Sequence, residues 1–95
     1  MRALVIDADA RGQAQEIVDA IRRRGHDARD GDAAPADVFD LVVLVDGAGS
    51  REALPAQCRE ARARHGDAFL LALLGAPWDE RAGAVLDAGA DDYTP

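Results

Sequence analysis

Near the middle of the chain, Leu41 to Val45 form an unbroken run of Leu and Val residues. Asp40 precedes the run, and Asp46 and the turn-forming residues 47–50 follow it. A short apolar run between turn formers indicates a strand that is buried on both faces. Such strands belong to parallel sheets with helices on each side, so the run predicts a doubly wound α/β fold. Chemistry in these folds lies at the carboxyl ends of the strands, where Asp46 stands.

The rest of the chain alternates between strand and helix patterns. Strands are predicted at 3–6, near Ala28 at a sheet edge, at 68–74 and, as a beginning only, near Tyr93. Helical spacing of apolar residues predicts three inward faces, namely Ala14, Ile17, Val18 and Ile21; Leu54, Cys58, Ala61 and His65; and Ala82, Val85, Leu86 and Gly89. One helical turn is expected near 36–39. Right-handed crossovers would place the first, third and fourth strands side by side.

Length and charge limit the possible functions. The chain has 95 residues, which suits one small domain over 1–95. Its net charge of −7 argues against nucleic acid and against anionic membranes as partners. The single Cys58 excludes an internal disulfide and fits a cytoplasmic location. No apolar run reaches the ~18 residues of a membrane span.

Three carboxylates follow strands that would lie side by side. Asp7 and Asp9 come after the first strand and Asp46 after the third, so all three are expected at one sheet edge. Clustered carboxylates repel each other unless a hard cation such as Mg²⁺ joins them or a pKa rises. With a metal, one carboxylate can accept a phosphoryl group. The alternative is that they only cap a helix and a turn, and spacing alone leaves both interpretations open.

Residues 89–93, Gly-Ala-Asp-Asp-Tyr, together with the acidic residues after the first and third strands, give the whole chain a recognisable pattern. The chain resembles a response-regulator receiver domain of two-component signalling, a CheY-like three-layer α/β sandwich. The resemblance implies that two acidic residues after the first strand hold Mg²⁺. It also implies an Asp after the third strand that accepts phosphate from a histidine kinase, a Thr or Ser after the fourth, a Lys after the fifth, and a switching aromatic.

This sequence matches some of the family's functional positions and departs from others. Asp7 fits the first acidic position, but Ala8 stands at the second and Asp9 follows one residue late. Asp46 fits the phosphate acceptor, although Val45 occupies that position in strict register. Leu74 falls where Thr or Ser is expected, and Tyr93 matches the switch aromatic.

The chain contains no Lys at all, and Thr94 precedes Pro95 where the family has Lys-Pro. These departures remove a metal ligand, a cation and a hydroxyl, so ordinary phospho-switching is not expected.

The family's fifth helix is also missing, which would leave part of one sheet face uncovered. Exposed apolar sheet surface normally finds a partner. We therefore expect either a homodimer or an N-terminal module of a longer protein.

Other residues favour structural roles. Cys58 lies on an inward helix face and is expected in the core, and His26 and His65 lack the neighbours of a metal site. Trp78 is expected near the acidic edge. Gly47 and Gly49 do not complete a phosphate-binding loop.

Three functions are compatible with these patterns. The first is a degenerate receiver (a pseudo-receiver) that signals through protein contact, largely independently of phosphorylation, and that is not an enzyme. The second is a Mg²⁺-dependent acceptor, with Asp46 phosphorylated by a histidine kinase and Asp7 and Asp9 as metal ligands. The third is a small flavodoxin-like ligand binder. A histidine kinase or a downstream signalling domain would be the protein partner.

Overall fold

The computed structural model describes residues 1–7, 13–31, 38–45, 53–74 and 78–94. These residues form five strands and three helices. The strands are β1 (Arg2–Asp7), β2 (Asp27–Asp30), β3 (Leu41–Val45), β4 (Phe69–Leu73) and β5 (Asp92–Thr94). The helices are α1 (Gln13–Arg23), α2 (Ala53–Arg64) and α3 (Trp78–Ala88).

All strands are parallel and lie in the order β2-β1-β3-β4-β5. The predicted central position of β1, β3 and β4 is therefore confirmed, as is the short strand at the β2 edge. The helical turn expected near 36–39 lies largely outside the described residues, and its last two residues have no regular structure. None of the described helices is long and apolar enough to cross a membrane.

The sheet divides the core into two layers. On one face α1 packs on β1 and β2, with Ala14 and Val18 buried against the sheet. Gly25 ends this helix at φ 88°, a conformation that suits glycine. On the other face α2 and α3 pack on β3, β4 and β5 and on each other. Helices on both faces confirm the doubly wound architecture.

One predicted inward position is wrong. Leu86 of α3 is 41% exposed, whereas Ala82, Val85 and Ala88 are buried. Because residues three apart lie on one helix face, the buried stripe is centred on Val85, and Leu86 falls about 100° away from it. The small Ala residues on either side allow α3 to lie close to the sheet.

At each edge of the sheet, a side chain forms a hydrogen bond with an outward backbone group. Asp27 and Gly31 donate to β1, so Ala28 between them turns its carbonyl outward, and Arg22 Nε and Nη2 donate to that oxygen at 3.1 and 2.8 Å. At the other edge the outward amide of Tyr93 donates to Asp92 Oδ1 at 2.8 Å. One outward backbone group at each edge is therefore already occupied by a side chain.

Arg62 of α2 joins three segments that are distant in sequence. Its Nη1 donates to Gly66 O and Ala68 O, both at 3.0 Å. Its Nε and Nη2 donate to Gly89 O at 3.1 and 2.8 Å, and Nη2 also donates to Asp91 Oδ2 at 2.7 Å. These five hydrogen bonds match the five N–H donors of a guanidinium. Arg62 thus fixes the exit of α2, the entry to β4 and the link from α3 to β5.

Gly89 and Asp91 complete this arrangement. Gly89 has φ 124°, and a Cβ added there would lie 3.1 Å from Arg62 Cβ and 3.3 Å from Arg62 Cγ. Asp91 Oδ2 also accepts from the Leu70 amide at 2.8 Å. This backbone hydrogen bond, followed by the one from Arg62, lowers the pKa of Asp91 below its ordinary value.

Replacing Gly89 by Ala should destabilise the fold, because the added Cβ meets Arg62 and the backbone angle is strained. We expect a loss of about 1–3 kcal/mol in the free energy of unfolding, measured by urea denaturation. Gly83→Ala is the matched control, since Gly83 lies inside α3 with open space around it. It should stabilise the protein by about 0.4–1 kcal/mol. Equal effects of the two substitutions would contradict this account.

The lowered pKa of Asp91 predicts a pH dependence of stability. The native carboxylate holds its charge below the pKa of the unfolded chain, so its contribution is complete above that unfolded value. It is lost as the pH falls through the native pKa. Between about pH 5 and pH 2, wild type should lose more stability than Asp91→Asn, by less than about 1 kcal/mol because the ion pair is partly exposed. Asp87→Asn, at an exposed position of α3, should follow wild type. Parallel pH profiles for wild type and Asp91→Asn would show that the pKa of Asp91 is not lowered in the folded protein.

Candidate functional site

The carboxyl edge of the sheet brings four strand ends into one row. Strand pairing places the last residues of β1, β3, β4 and β5 side by side, in the order Asp7, Val45, Leu73 and Thr94. Neighbouring strands lie ~4.8 Å apart, so the ends of β1 and β3 are adjacent. The backbone therefore brings Asp7 to the edge at which the predicted acidic site would lie.

Val45 contributes an apolar side chain to this row. It is 4% exposed and packs in the α1-side core with Val5 and Val43. The resemblance to receiver domains predicts the phosphate acceptor at this position in strict register. A buried valine there has no nucleophile.

Leu74 and Tyr93 belong to the core on the α2–α3 side. The amide of Leu74 donates to Thr94 O at 2.8 Å, and its side chain is 6% exposed within that core. Tyr93, half-buried on β5, packs against the same core. The position expected to hold Thr or Ser therefore has neither a hydroxyl nor access to solvent, and the switch aromatic is already packed against the core.

The predicted metal ligands are only partly within the described residues. Asp7 ends β1, whereas Asp9 and Asp46 lie outside the described residues. Within the ranges that the structure describes, no group of three His, Cys, Asp or Glu side chains is placed to hold a metal ion. The predicted Mg²⁺ site therefore stays a prediction.

Residues 89–93 give the strongest sequence match to receiver domains. Most of them have a structural role beside Arg62. Gly89 provides the turn, buried Ala90 enters the core, and Asp91 bonds Arg62 and Leu70. These contacts hold the backbone of the segment in place.

The sequence analysis did not single out Arg62, because helical spacing of apolar residues identifies only the apolar positions of α2. Its position four residues after the inward-facing Cys58 was the available signal, since residues four apart share a helix face.

The remaining predicted residues have structural roles where they are described. Cys58 is fully buried, and this burial raises the pKa of its thiol, with Arg59 opposing the shift. His65 meets the ring of Phe39 edge-on, with centroids 5.7 Å apart, and His26 is exposed. Trp78 begins α3, after β4 has ended at Leu73.

Comparison with known proteins identifies the fold. A response regulator from Burkholderia pseudomallei, whose structure has a phosphorylated aspartic acid, a calcium ion and citrate, matches with TM-score 0.80 and 23% identity over 97% of this chain. An atypical orphan response regulator with a phosphorylation-independent regulatory mechanism matches with TM-score 0.73 and 21% identity over 98% of this chain and 79% of its own. An orphan response regulator of H. pylori matches with TM-score 0.74 and 21% identity, over 98% of this chain and 80% of its own.

The fold is that of a response-regulator receiver domain, and the predicted resemblance is confirmed at this level. The chain spans 57% of the Burkholderia protein. No family model and no curated protein matches the sequence.

The burial of Val45 in the α1-side core can be tested by substitution. Val45→Asp should lower the free energy of unfolding by at least about 3 kcal/mol, because an unpaired carboxylate would enter the α1-side core. Val45→Ala, which only removes packing, should cost about 1–3 kcal/mol. Both values are measured by urea denaturation. If Val45→Asp is tolerated as well as Val45→Ala, the side chain at this position is not held in the α1-side core.

Proposed function

We propose that this chain is a receiver-like signalling domain that acts through protein–protein contact and does not require phosphorylation. The edge row carries the proposal, because Val45 occupies the strict-register acceptor position as a buried apolar residue. Buried Leu74 and the absence of Lys in the sequence point the same way. The orphan response regulator with a phosphorylation-independent mechanism shows that this fold can regulate in such a way.

The proposed domain is not an enzyme and acts in the cytoplasm. Its partner is a protein, either a histidine kinase or a downstream signalling domain, rather than nucleic acid or a membrane. The net charge of −7 supports this choice, because phosphate groups repel an acidic chain. A second copy of the chain is the competing protein partner.

A second candidate function keeps the phosphoacceptor chemistry. Asp46 directly follows Val45, which pairs with Asp7 at the carboxyl edge, and the Burkholderia neighbour contains a phosphorylated aspartic acid and a calcium ion. In that case Asp46 would accept the phosphoryl group, and Asp7 and Asp9 would help to hold Mg²⁺. The fold accommodates either function, so the acceptor chemistry has to be tested directly.

Trp78, the only tryptophan, provides the measurement. Mg²⁺ and beryllofluoride, a phosphoryl mimic, are titrated into wild type and Asp46→Asn while tryptophan fluorescence is followed. We expect no saturable change in either protein up to millimolar Mg²⁺, because Val45 occupies the strict-register acceptor position and the sequence has no Lys to pair with a phosphoryl group. Circular dichroism confirms that both proteins are folded. A saturable change in wild type that is absent from Asp46→Asn would establish the acceptor function and overturn the proposal.

A further inference from the structure

Among the described strands, β2 has a neighbour on one side only, so its other side is an edge of the sheet. The amides of Asp27 and Gly31 donate to β1. Because backbone groups alternate along a strand, the groups of Ala28 and Asp30 point outward at this edge. Arg22 donates to the outward Ala28 oxygen, and within the described residues no group accepts from the outward Ala28 amide.

The side chains of β2 carry both signs of charge. Ala28 packs in the α1-side core, so Asp30 shares that face, whereas Asp27 and Arg29 lie on the opposite face. All three charged residues are exposed. On its own chain, Asp27 already pairs with Arg2 of β1, with Nε and Oδ2 3.5 Å apart. An acid and a base on either side of Ala28 make the strand complementary to a reversed copy of itself.

We propose that two copies of this chain pair through their β2 edges, antiparallel about a two-fold axis at Ala28, and so join two five-stranded sheets into one. In this register Ala28 stands opposite Ala28 of the second copy, and each amide donates to the other carbonyl. Asp27 stands opposite Arg29 of the second copy, and the two-fold axis repeats this contact. The inference goes beyond the proposed function, because it concerns assembly of the domain and holds with or without phosphorylation.

Charge selects this register among the antiparallel ones that bring outward backbone groups together. An axis at Arg29 would place two Arg29 side chains directly opposite each other, and an axis at Asp27 or Asp30 would do the same with two aspartates. Like charges directly opposite are destabilising, whereas opposite charges stabilise a cross-strand pair. The axis at Ala28 avoids every such conflict, since Asp30 then stands opposite His26.

The position of α1 leaves room for a second copy. This helix packs on β1 and β2, so its axis stands about half a strand spacing inside β2. The two-fold axis lies about half a strand spacing outside β2. The two α1 helices would therefore stand about 10 Å apart, which is the upper end of the range for packed helices.

The charges on the facing flank of α1 are balanced. Arg22 and Asp19 share this flank, because residues three apart lie on one side of a helix. Arg23 and Arg24 turn away from it by about 100° and 200°. Near the two-fold axis, each Arg22 also meets Asp30 of the second copy, which lies diagonal to the residue on the axis and on the same face.

The hydrogen bond from Arg22 is compatible with pairing. A carbonyl oxygen has two lone pairs, so the Ala28 oxygen can accept from Arg22 and from the Ala28 amide of the second copy. The net charge of −7 opposes association, but charges farther apart than about 8 Å are largely screened at physiological salt. Because the paired strands are short, we expect a dissociation constant on the order of 0.1 mM.

Sedimentation equilibrium of the chain at physiological salt, from about 10 μM to about 1 mM, measures this association. We expect a reversible dimer. Asp27→Arg and Arg29→Asp should each weaken it about tenfold or more, since each replaces two attractive cross-strand pairs by two repulsive ones. Asp87→Arg and Arg59→Asp are the matched controls, with the same charge changes at exposed positions of α3 and α2. They should change the dissociation constant by less than about threefold.

Mixing the two weakened variants tests the register itself. Asp27→Arg then carries two basic residues on this face of β2, and Arg29→Asp carries two acidic ones. An equimolar mixture should form a heterodimer at least as tight as the wild-type dimer, whereas a mixture of the two control variants should show no such gain. The double variant with both changes should also regain the homodimer. A structural defect in either variant would not be reversed by mixing.

Two measurements test the backbone pairing. Asp30→Pro removes an outward amide without touching the ladder to β1, and its ring occupies the path of the second strand, so it should abolish the dimer. Hydrogen exchange at the Ala28 amide should slow as the protein concentration rises. Circular dichroism confirms that each variant is folded, and the mixing experiment decides if Asp30→Pro unfolds.

Several outcomes would overturn the proposal. They are a wild-type chain that stays monomeric at about 1 mM, a dimer that survives in folded Asp30→Pro, and charge variants that mixing does not rescue. Assemblies that grow beyond the dimer would do the same, because a two-fold interface closes on itself.

Discussion

The fold depends on one guanidinium more than on any other polar group that the structure describes. Arg62 uses five N–H donors on four residues, and thereby joins the end of α2, the start of β4 and the turn before β5. A parallel sheet needs such ties, because its neighbouring strands are never joined by a short hairpin. A lysine at this position would offer three donors from one point and could not span these acceptors.

The sequence was sufficient to predict most of the fold because two simple patterns dominate it. Unbroken apolar runs place β3 and β4 inside the sheet, and helical spacing defines the buried stripe of α1. Predictions from the sequence failed where the position of a residue around its helix matters more than whether the residue is apolar or charged. Leu86 is apolar but lies off the stripe centred on Val85, and Arg62 is charged but lies beside the core. Periodicity gives the side of a helix that turns inward, and only the structure gives the acceptors that a long side chain reaches.

The candidate site was less predictable than the fold. A sequence shows that Asp7 and Asp46 follow adjacent strands, but register decides which residues share a level. The structure pairs Asp7 with Val45 rather than with Asp46. A shift of one residue along a strand turns a side chain to the other face of the sheet. The register therefore decides which residue at the end of β3 packs in the α1-side core. Strict register with receiver domains had placed Val45 at the acceptor position, and the pairing of Val45 with Asp7 agrees with that placement.

Residues 89–93 resemble receiver domains most strongly, and their contacts with Arg62 lie at the amino-terminal ends of β4 and β5. The positions expected to carry phosphoryl chemistry lie at the carboxyl ends of the strands. Gly89 and Asp91 stabilise the amino-terminal entry to β4 and β5, whereas Val45 and Leu74 stand at the carboxyl ends. Different requirements therefore preserve the two regions. Contacts with Arg62 preserve Gly89 and Asp91, whereas phosphoryl chemistry would preserve the residues at the carboxyl ends of the strands. A chain can then retain the fold and lose the acceptor site without conflict. What such a chain still offers a partner protein is its surface.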